Sequence, residues 1–165
     1  MDRTVTPHLR HAAIALGSNL GDRRANLARA VERLSLVLSD LALSSTLETV
    51  PVGEGLEHDP LFLNAAAVGT TMLDARGLLD ELLSIERDLG RERPYPGAAR
   101  TIDLDLILLD DVVIAEPGLQ VPHPRFRARR FVLEPLAEIA GEMRDPVTQK
   151  TVADLLAQIK KDPRA

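Results

Sequence analysis

Apolar residues recur along this chain in two rhythms, one of strands and one of helices. Ala12 to Leu16 form a short apolar run ending in Gly17-Ser18-Asn19, which reads as a strand entering a turn with helix-start chemistry. From Arg23 to Leu38, Leu27, Ala30, Val31, Leu34 and Leu38 fall at helical spacing, with arginines and Glu32 between them. Ala42 to Val50, rich in Ser, Thr, Leu and Val, predicts a strand, and a loop follows through Pro51, Gly53, Gly55 and Pro60. Phe62 to Thr71 predicts a third strand. Leu78, Leu79, Leu82, Leu83, Ile85, Glu86 and Leu89 define a second helix from about Asp74 that Gly90 stops.

A loop with Pro94, Pro96 and Gly97 leads into a strand running to about Leu109. Asp110-Asp111 predicts a turn, Val112 to Ala115 a short return strand, and Val132 to Ile139 and Val152 to Ile159 two outer helices. The order β-α-β-β-α-β is the ferredoxin-like pattern. It implies an α+β fold: an antiparallel sheet covered on one face by two helices, here with a C-terminal helical extension.

The strand near residue 103 breaks the apolar rhythm. Arg100-Thr101-Ile102-Asp103-Leu104-Asp105-Leu106-Ile107 sets two carboxylates two residues apart, just after an arginine. Strands are depleted in Asp, and burying carboxylates is costly without positive charge beside them. Residues i and i+2 share a face about 6.6 Å apart, which suits two side chains sharing a pair of divalent cations. Ile102, Leu104, Leu106 and Leu108 then face the core. Alone, such a pair more often marks a solvated strand face.

At 165 residues the chain has the size of one domain, with residues 1–10 expected to be a flexible N-terminal segment. It contains no cysteine, which excludes disulfides and thiolate metal sites and suits a reducing compartment. No apolar run is long enough to cross a bilayer and Met1 to Arg10 lack a signal-peptide core, so a soluble, cytoplasmic protein is expected. The formal net charge of −5 argues against general nucleic-acid binding. Yet Arg125, Arg127, Arg129 and Arg130 lie in a stretch, Pro117 to Leu133, without an acidic residue, and Arg91, Arg93 and Arg100 precede the aspartates. Two arginine clusters on an acidic protein suit a small polyanion, because guanidinium matches phosphate oxygens bidentately. Only Phe62, Tyr95, Phe126 and Phe131 are aromatic, so the core must be aliphatic. No long apolar stripe is evident, and a monomer is expected.

Taken in order, several segments resemble the 6-hydroxymethyl-7,8-dihydropterin pyrophosphokinase family. They are Ala15-Leu16-Gly17-Ser18-Asn19-Leu20-Gly21, Phe62-Leu63-Asn64-Ala65-Ala66, the Arg100–Asp105 stretch, Val121-Pro122-His123-Pro124-Arg125, and Arg129-Arg130-Phe131-Val132-Leu133-Glu134-Pro135-Leu136. The resemblance implies transfer of the β,γ-pyrophosphoryl group of ATP to the pterin hydroxymethyl oxygen, with release of AMP, in folate biosynthesis. Such chemistry rests on positioning and charge neutralisation. No Gly-x-x-x-x-Gly-Lys-Ser/Thr loop is present to cradle the phosphates.

By this resemblance Asp103 and Asp105 bind two Mg2+ ions, while Arg91, Arg93 and Arg100 serve catalysis at the phosphates. Glu86, Leu106, His123 and Arg129 match nucleotide-site positions, as do Arg91 and Arg100. Phe62 and Phe131 match the aromatics that sandwich the pterin, Asn64 offers donor and acceptor to its edge, and Thr49, Pro51 and Val52 match the ring-recognition loop. The stretch Pro94-Tyr95-Pro96-Gly97-Ala98-Ala99-Arg100 departs from the family pattern. Two other classes remain open on the residues alone: a nucleotide-binding regulatory module without turnover, and a metal-dependent nucleotide hydrolase.

Overall fold

The computed structural model describes residues 8–50, 61–90 and 101–161, which form twelve short and long elements. The strands are β1 (Arg10–Ser18), β2 (Ser39–Leu43), β3 (Leu47–Thr49), β4 (Phe62–Thr71), β5 (Asp103–Leu109), β6 (Ile114–Glu116) and β7 (Leu119–Val121). The helices are α1 (Arg23–Leu34), α2 (Ala75–Asp88), α3 (Arg130–Ala140) and α4 (Val152–Lys161), with a 3-10 turn at Phe126–Ala128. The main sheet runs β2-β4-β1-β5, with β3 also on β4, and every neighbouring pair is antiparallel. Counting β2 and β3 as one interrupted strand, this is the ferredoxin-like order expected above.

The helices begin and end where the chain offers caps. The Asp22 carboxylate accepts from the Ala25 N–H at 3.1 Å to start α1, and Asp74 accepts from Gly77 at 2.8 Å to start α2. Gly90, at φ +84°, ends the α2 region in a left-handed conformation that costs glycine little. Leu27, Ala30 and Leu34 of α1 and Leu78, Leu82 and Ile85 of α2 pack on one face of the sheet against Ile14, Leu16, Leu104 and Leu106.

Four expectations are corrected. Both faces of the sheet are covered, because α3 and α4 bring Val132, Leu133, Leu136, Val152 and Leu155 onto Ala13, Ala66, Ile107 and Leu108. The single strand expected over 42–50 is split, because the Ser44 hydroxyl accepts from the Ala66 N–H at 2.8 Å and substitutes for a ladder bond. The return strand starts at Ile114 and pairs with the unforeseen β7 across Pro117-Gly118, where Gly118 has φ +76°. Finally, Arg10 is not part of a flexible segment: it opens β1, and its guanidinium donates to the Met72 and Leu73 carbonyls.

Leu108 also departs from the face expected of it. β1 and β5 pair Ile14 with Leu106 but Ala13 with Leu108, so Ile107 is an extra residue in a bulge. Ile107 and Leu108 therefore both turn to the α3–α4 side, while Leu109 returns to the α1–α2 core.

The C-terminal region is held by an ion pair that the sequence did not reveal. Asp145, 0% exposed, accepts from Arg127 Nε at 2.5 Å and Nη2 at 3.0 Å, from the Thr148 hydroxyl at 2.7 Å and from the Val147 N–H at 3.0 Å. Burial alone would raise its pKa, but these donors outweigh it and hold the carboxyl down to about 2. Arg127 in turn lies over the Phe126 ring, 4.9 Å from its centre. Breaking a buried pair by removing one partner leaves the other uncompensated. Asp145→Ala is accordingly expected to destabilise the protein by about 3 kcal/mol in chemical denaturation. Because the folded pKa lies below the ordinary 3.8, the stability gap to wild type should be constant above pH 3.8 and close as pH falls toward 2.

Candidate active site

One rung of the sheet assembles most of the candidate residues. Leu47 pairs with Asn64, Asn64 with Gly17, and Gly17 with Asp103, so the four lie side by side across β3, β4, β1 and β5. Directly opposed residues point to the same face, and Phe62 and Asp105, two positions along their strands, share it. This is the face that α3 and α4 cover only in part. Asp103, Asp105, Phe62, Phe131 and Thr49 are all partly exposed there. In the centre Gly17 has no side chain and Ala15, flanked by Ala66 and Asp105, has only a methyl. The result is a trough with an amide and an aromatic ring on one side and two carboxylates on the other.

The turn that brings Gly17 into this rung is fixed by buried polar contacts. Asn26 of α1 donates to the Ser18 hydroxyl at 3.2 Å and to the Leu20 carbonyl at 2.8 Å, and its own Oδ1 accepts from Arg29 at 2.5 Å. Arg23 donates to Glu48 at 2.6 Å and to the Leu61 carbonyl at 2.9 Å, tying α1 to β3 and the start of β4. Ser18 and Leu20 belong to a segment quoted above, whereas Asn26, Arg29 and Glu48 did not stand out in the sequence. An Asn on the buried face of an amphipathic helix was the available signal.

Asn64 is 5% exposed and its orientation is determined. Its Nδ2 donates to the Leu47 carbonyl at 3.1 Å and to Thr49 Oγ1 at 2.7 Å. Both amide protons are thereby engaged, which leaves Oδ1 toward Gly17. Asn64 thus presents an acceptor to the trough rather than the donor-and-acceptor pair expected. Thr49 Oγ1, accepting from Asn64, retains a hydroxyl proton to donate.

At the β5 side His123 is held by its backbone, whose N–H donates to the Ile107 carbonyl at 2.9 Å, at the bulge. His123 Nδ1 accepts from the Arg125 N–H at 3.1 Å, so the neutral ring carries its proton on Nε2. Burial pushes its pKa down, Arg129 and Arg125 push it further, and Asp103 opposes them, leaving it at about 4. The imidazole is therefore a neutral donor at pH 7. Arg129 precedes α3, supplies no side-chain cap, and sits over the Phe131 ring 5.6 Å from its centre. A cation and a helix N-terminus carrying no side-chain acceptor together favour an anion.

The arginine cluster is divided by its partners. Arg127 is committed to Asp145, and Arg130 to Glu134 at 3.1 Å one helical turn on, whereas Arg125 and Arg129 act on His123. Leu106 and Glu86 are not presented on the trough: Leu106 is buried in the α1–α2 core, and Glu86, 2% exposed, belongs to the buried side of α2 on that opposite face. Only its backbone, on an edge strand of the described sheet, could bring Leu106 to a nucleotide. Arg91, Arg93, Arg100, Pro51 and Val52 lie outside the described residues.

Two carboxylate oxygens on one strand face are hard ligands suited to Mg2+. Among the described residues no group of three or more His, Cys, Asp or Glu side chains could hold a metal ion. That donor set fits Mg2+, which is commonly held by one or two carboxylates and completed by water and substrate phosphates rather than caged by protein.

The sequence matches the family described as 7,8-dihydro-6-hydroxymethylpterin-pyrophosphokinase over residues 13–141. It is 42% identical to the 2-amino-4-hydroxy-6-hydroxymethyldihydropteridine pyrophosphokinase of Bacillus subtilis, over 83% of this chain and 82% of that one. It is 39% identical to the protein of the same name from Methylorubrum extorquens, over 90% of this chain and 92% of that one. The folic acid synthesis protein fol1 of Pneumocystis carinii is 37% identical over 88% of this chain, which spans only 20% of that protein. A Plasmodium falciparum HPPK-DHPS crystal structure with pteroate superposes with a TM-score of 0.70 and 14% identity, over 92% of this chain and 44% of that one, a likeness of fold. No helix among the described residues is long and apolar enough to cross a membrane. With the family's match reaching from β1 to the end of α3, and so across every strand of the trough, the chain belongs to the 7,8-dihydro-6-hydroxymethylpterin-pyrophosphokinase family.

Proposed function

We propose that the trough is where this protein carries out its family's reaction, transfer of pyrophosphate from ATP to the hydroxymethyl group of 6-hydroxymethyl-7,8-dihydropterin in folate biosynthesis. The observation that carries this is the shared rung: an amide acceptor, a side-chain-free floor and a carboxylate lie in line across three strands. The pterin would lie with its donor edge at Asn64 Oδ1 and the Thr49 hydroxyl, its faces against Phe62 and Phe131. Its hydroxymethyl oxygen would attack the β-phosphorus of ATP, losing its proton as the bond from that phosphorus to the α,β-bridging oxygen breaks and AMP departs.

Asp103 and Asp105 would hold two Mg2+ ions, which when bound supply charge neutralisation at the phosphates and acidify the acceptor hydroxyl. His123 Nε2–H and the Arg129 guanidinium would donate to phosphate oxygens, and Arg91, Arg93 and Arg100 would complete the cation set around them. His123 is suited to this because, neutral, it can donate without adding a third charge to the Arg125–Arg129 side before nucleotide arrives. The absence of a phosphate-cradling glycine loop agrees with a site built on strand carboxylates and arginines.

Incubation with MgATP and the hydroxymethyl pterin tests the assignment: pterin-dependent AMP is expected, whereas pterin-independent ADP, or nucleotide binding without turnover, would overturn it. Asp105→Ala is expected to lower kcat by more than about 100-fold, beyond the loss typical of outer-shell metal partners. A near wild-type rate across a magnesium titration would refute the metal assignment. Phe131→Ala should weaken pterin binding by about 1–3 kcal/mol, read by fluorescence titration, as expected for loss of one stacking face.

The His123 imidazole should titrate at about 4 in the ligand-free protein, followed by NMR of its ring protons. Nucleotide should raise that midpoint, since triphosphate oxygens offset Arg129 and Arg125. The folded pKa lies below the unfolded value of 6.5, so the unfolded chain binds more protons between the two. Stability from this group is therefore level above pH 6.5 and declines as pH falls toward 4.

A further inference from the structure

Resting on the trough as the pterin site, we infer that Gly17 is a specificity-determining residue, whose missing side chain opens the crossing a flat acceptor takes between Asn64 and the aspartates. Gly17 pairs with Asn64 on one side and Asp103 on the other. With strands about 4.8 Å apart, those two side chains stand roughly 10 Å from one another. A ligand gripped at one and reacting beside the other must lie over the middle strand. At the middle strand the residue is glycine.

Nothing among the described residues requires glycine there. A Cβ at position 17 would meet Asn64 Oδ1 at 3.5 Å and Phe62 Cδ1 at 3.6 Å, both ordinary van der Waals contacts. Gly17 is also absent from the positive-φ glycines, which among the described residues are Gly21, Gly90 and Gly118. Gly69, on β4 of the same sheet, makes the contrast. A Cβ there would fall 2.8 Å from the Ser39 carbonyl oxygen and 2.9 Å from Leu38 Cβ, so packing excludes a side chain. Gly69 is glycine for the protein's own contacts, and Gly17 for a visitor's.

The two groups that a methyl at position 17 would touch are the ones assigned to the ring edge and the ring face. Such a methyl occupies the trough without disturbing its walls. The acceptors admitted are therefore planar heterocycles that can lie flat against backbone, and a graded increase in side-chain size at position 17 should exclude them by degrees.

The experiment compares wild type, Gly17→Ala and Gly17→Val in thermal unfolding, binding of a non-hydrolysable ATP analogue with Mg2+, and steady-state formation of pterin-dependent AMP. Gly17→Ala is expected to melt as wild type does and to keep its nucleotide affinity, while its KM for pterin rises at least about tenfold, the scale of one misplaced methyl in a fitted pocket. Gly17→Val should raise it further. Unchanged pterin KM in both variants, with wild type active, would overturn the inference and leave the function standing. Failure of Gly17→Ala to fold would overturn it too, by showing that packing demands the glycine. No pterin-dependent AMP from wild type would remove the function itself, and the inference with it.

Discussion

Residues 103–109 can bury Leu104 and Leu106 only by turning Asp103 and Asp105 to the opposite face, and the site follows from that alternation. The α1–α2 core grips Leu104 and Leu106, so it also dictates where the carboxylates stand. A slip of one residue between β1 and β5 would bury both acids and expose both leucines, which hydrophobic burial and carboxylate desolvation jointly oppose. The alternation is then broken on purpose. At the Ile107 bulge two apolar side chains turn to the α3–α4 side, and the Ile107 carbonyl accepts from His123. One irregularity thus closes the second core and fastens the neutral imidazole beside the strand of acids.

The long elements were legible because their burial is one-sided and periodic. β1, α1, β4, α2 and β5 could each be traced from spacing and caps alone. What failed to show in the sequence depends on partners that spacing does not encode. Ser44 interrupts β2 and β3 through a hydroxyl that competes for the Ala66 N–H. The parity change at Leu108 exists only in the register against β1. Coverage of the second face by α3 and α4 was hidden because small residues, Ala13, Ala15 and Ala66, line that face and look neutral in a hydrophobic pattern. For the same reason Gly17 attracted no role until its neighbours across the rung were known.

The arginines carry a related lesson. Four guanidiniums within six residues look alike in sequence, and only their anions distinguish them. Arg127 has Asp145, 18 residues away and wholly buried, and so works as a brace between the 3-10 turn and the 145–150 turn. Arg130 has Glu134 on its own helix, an exposed pair of small energetic weight. Arg125 and Arg129 instead converge on a histidine that they help keep neutral. Phe126 follows the same division: fully buried, it is core, whereas Phe62 and Phe131 stay partly exposed at the trough.

The proposed phosphate site needs positive charge that is present before the ligand yet does not repel itself apart, and the sequence offers no Gly-x-x-x-x-Gly-Lys-Ser/Thr loop to supply it. Arg129 is spread over the Phe131 ring, whose face attracts a cation, and Asp103 opposes the effect of Arg129 and Arg125 on His123. His123 supplies a donor but no charge. On the proposed function, a bound ion's charge would offset Asp103 and Asp105 as the phosphates would offset the arginines. In that reading, phosphate arriving without metal would share a sheet face with two carboxylates. On the proposed function, the acids of β5 and the arginine preceding α3 would together favour a metal–nucleotide complex over either component separately.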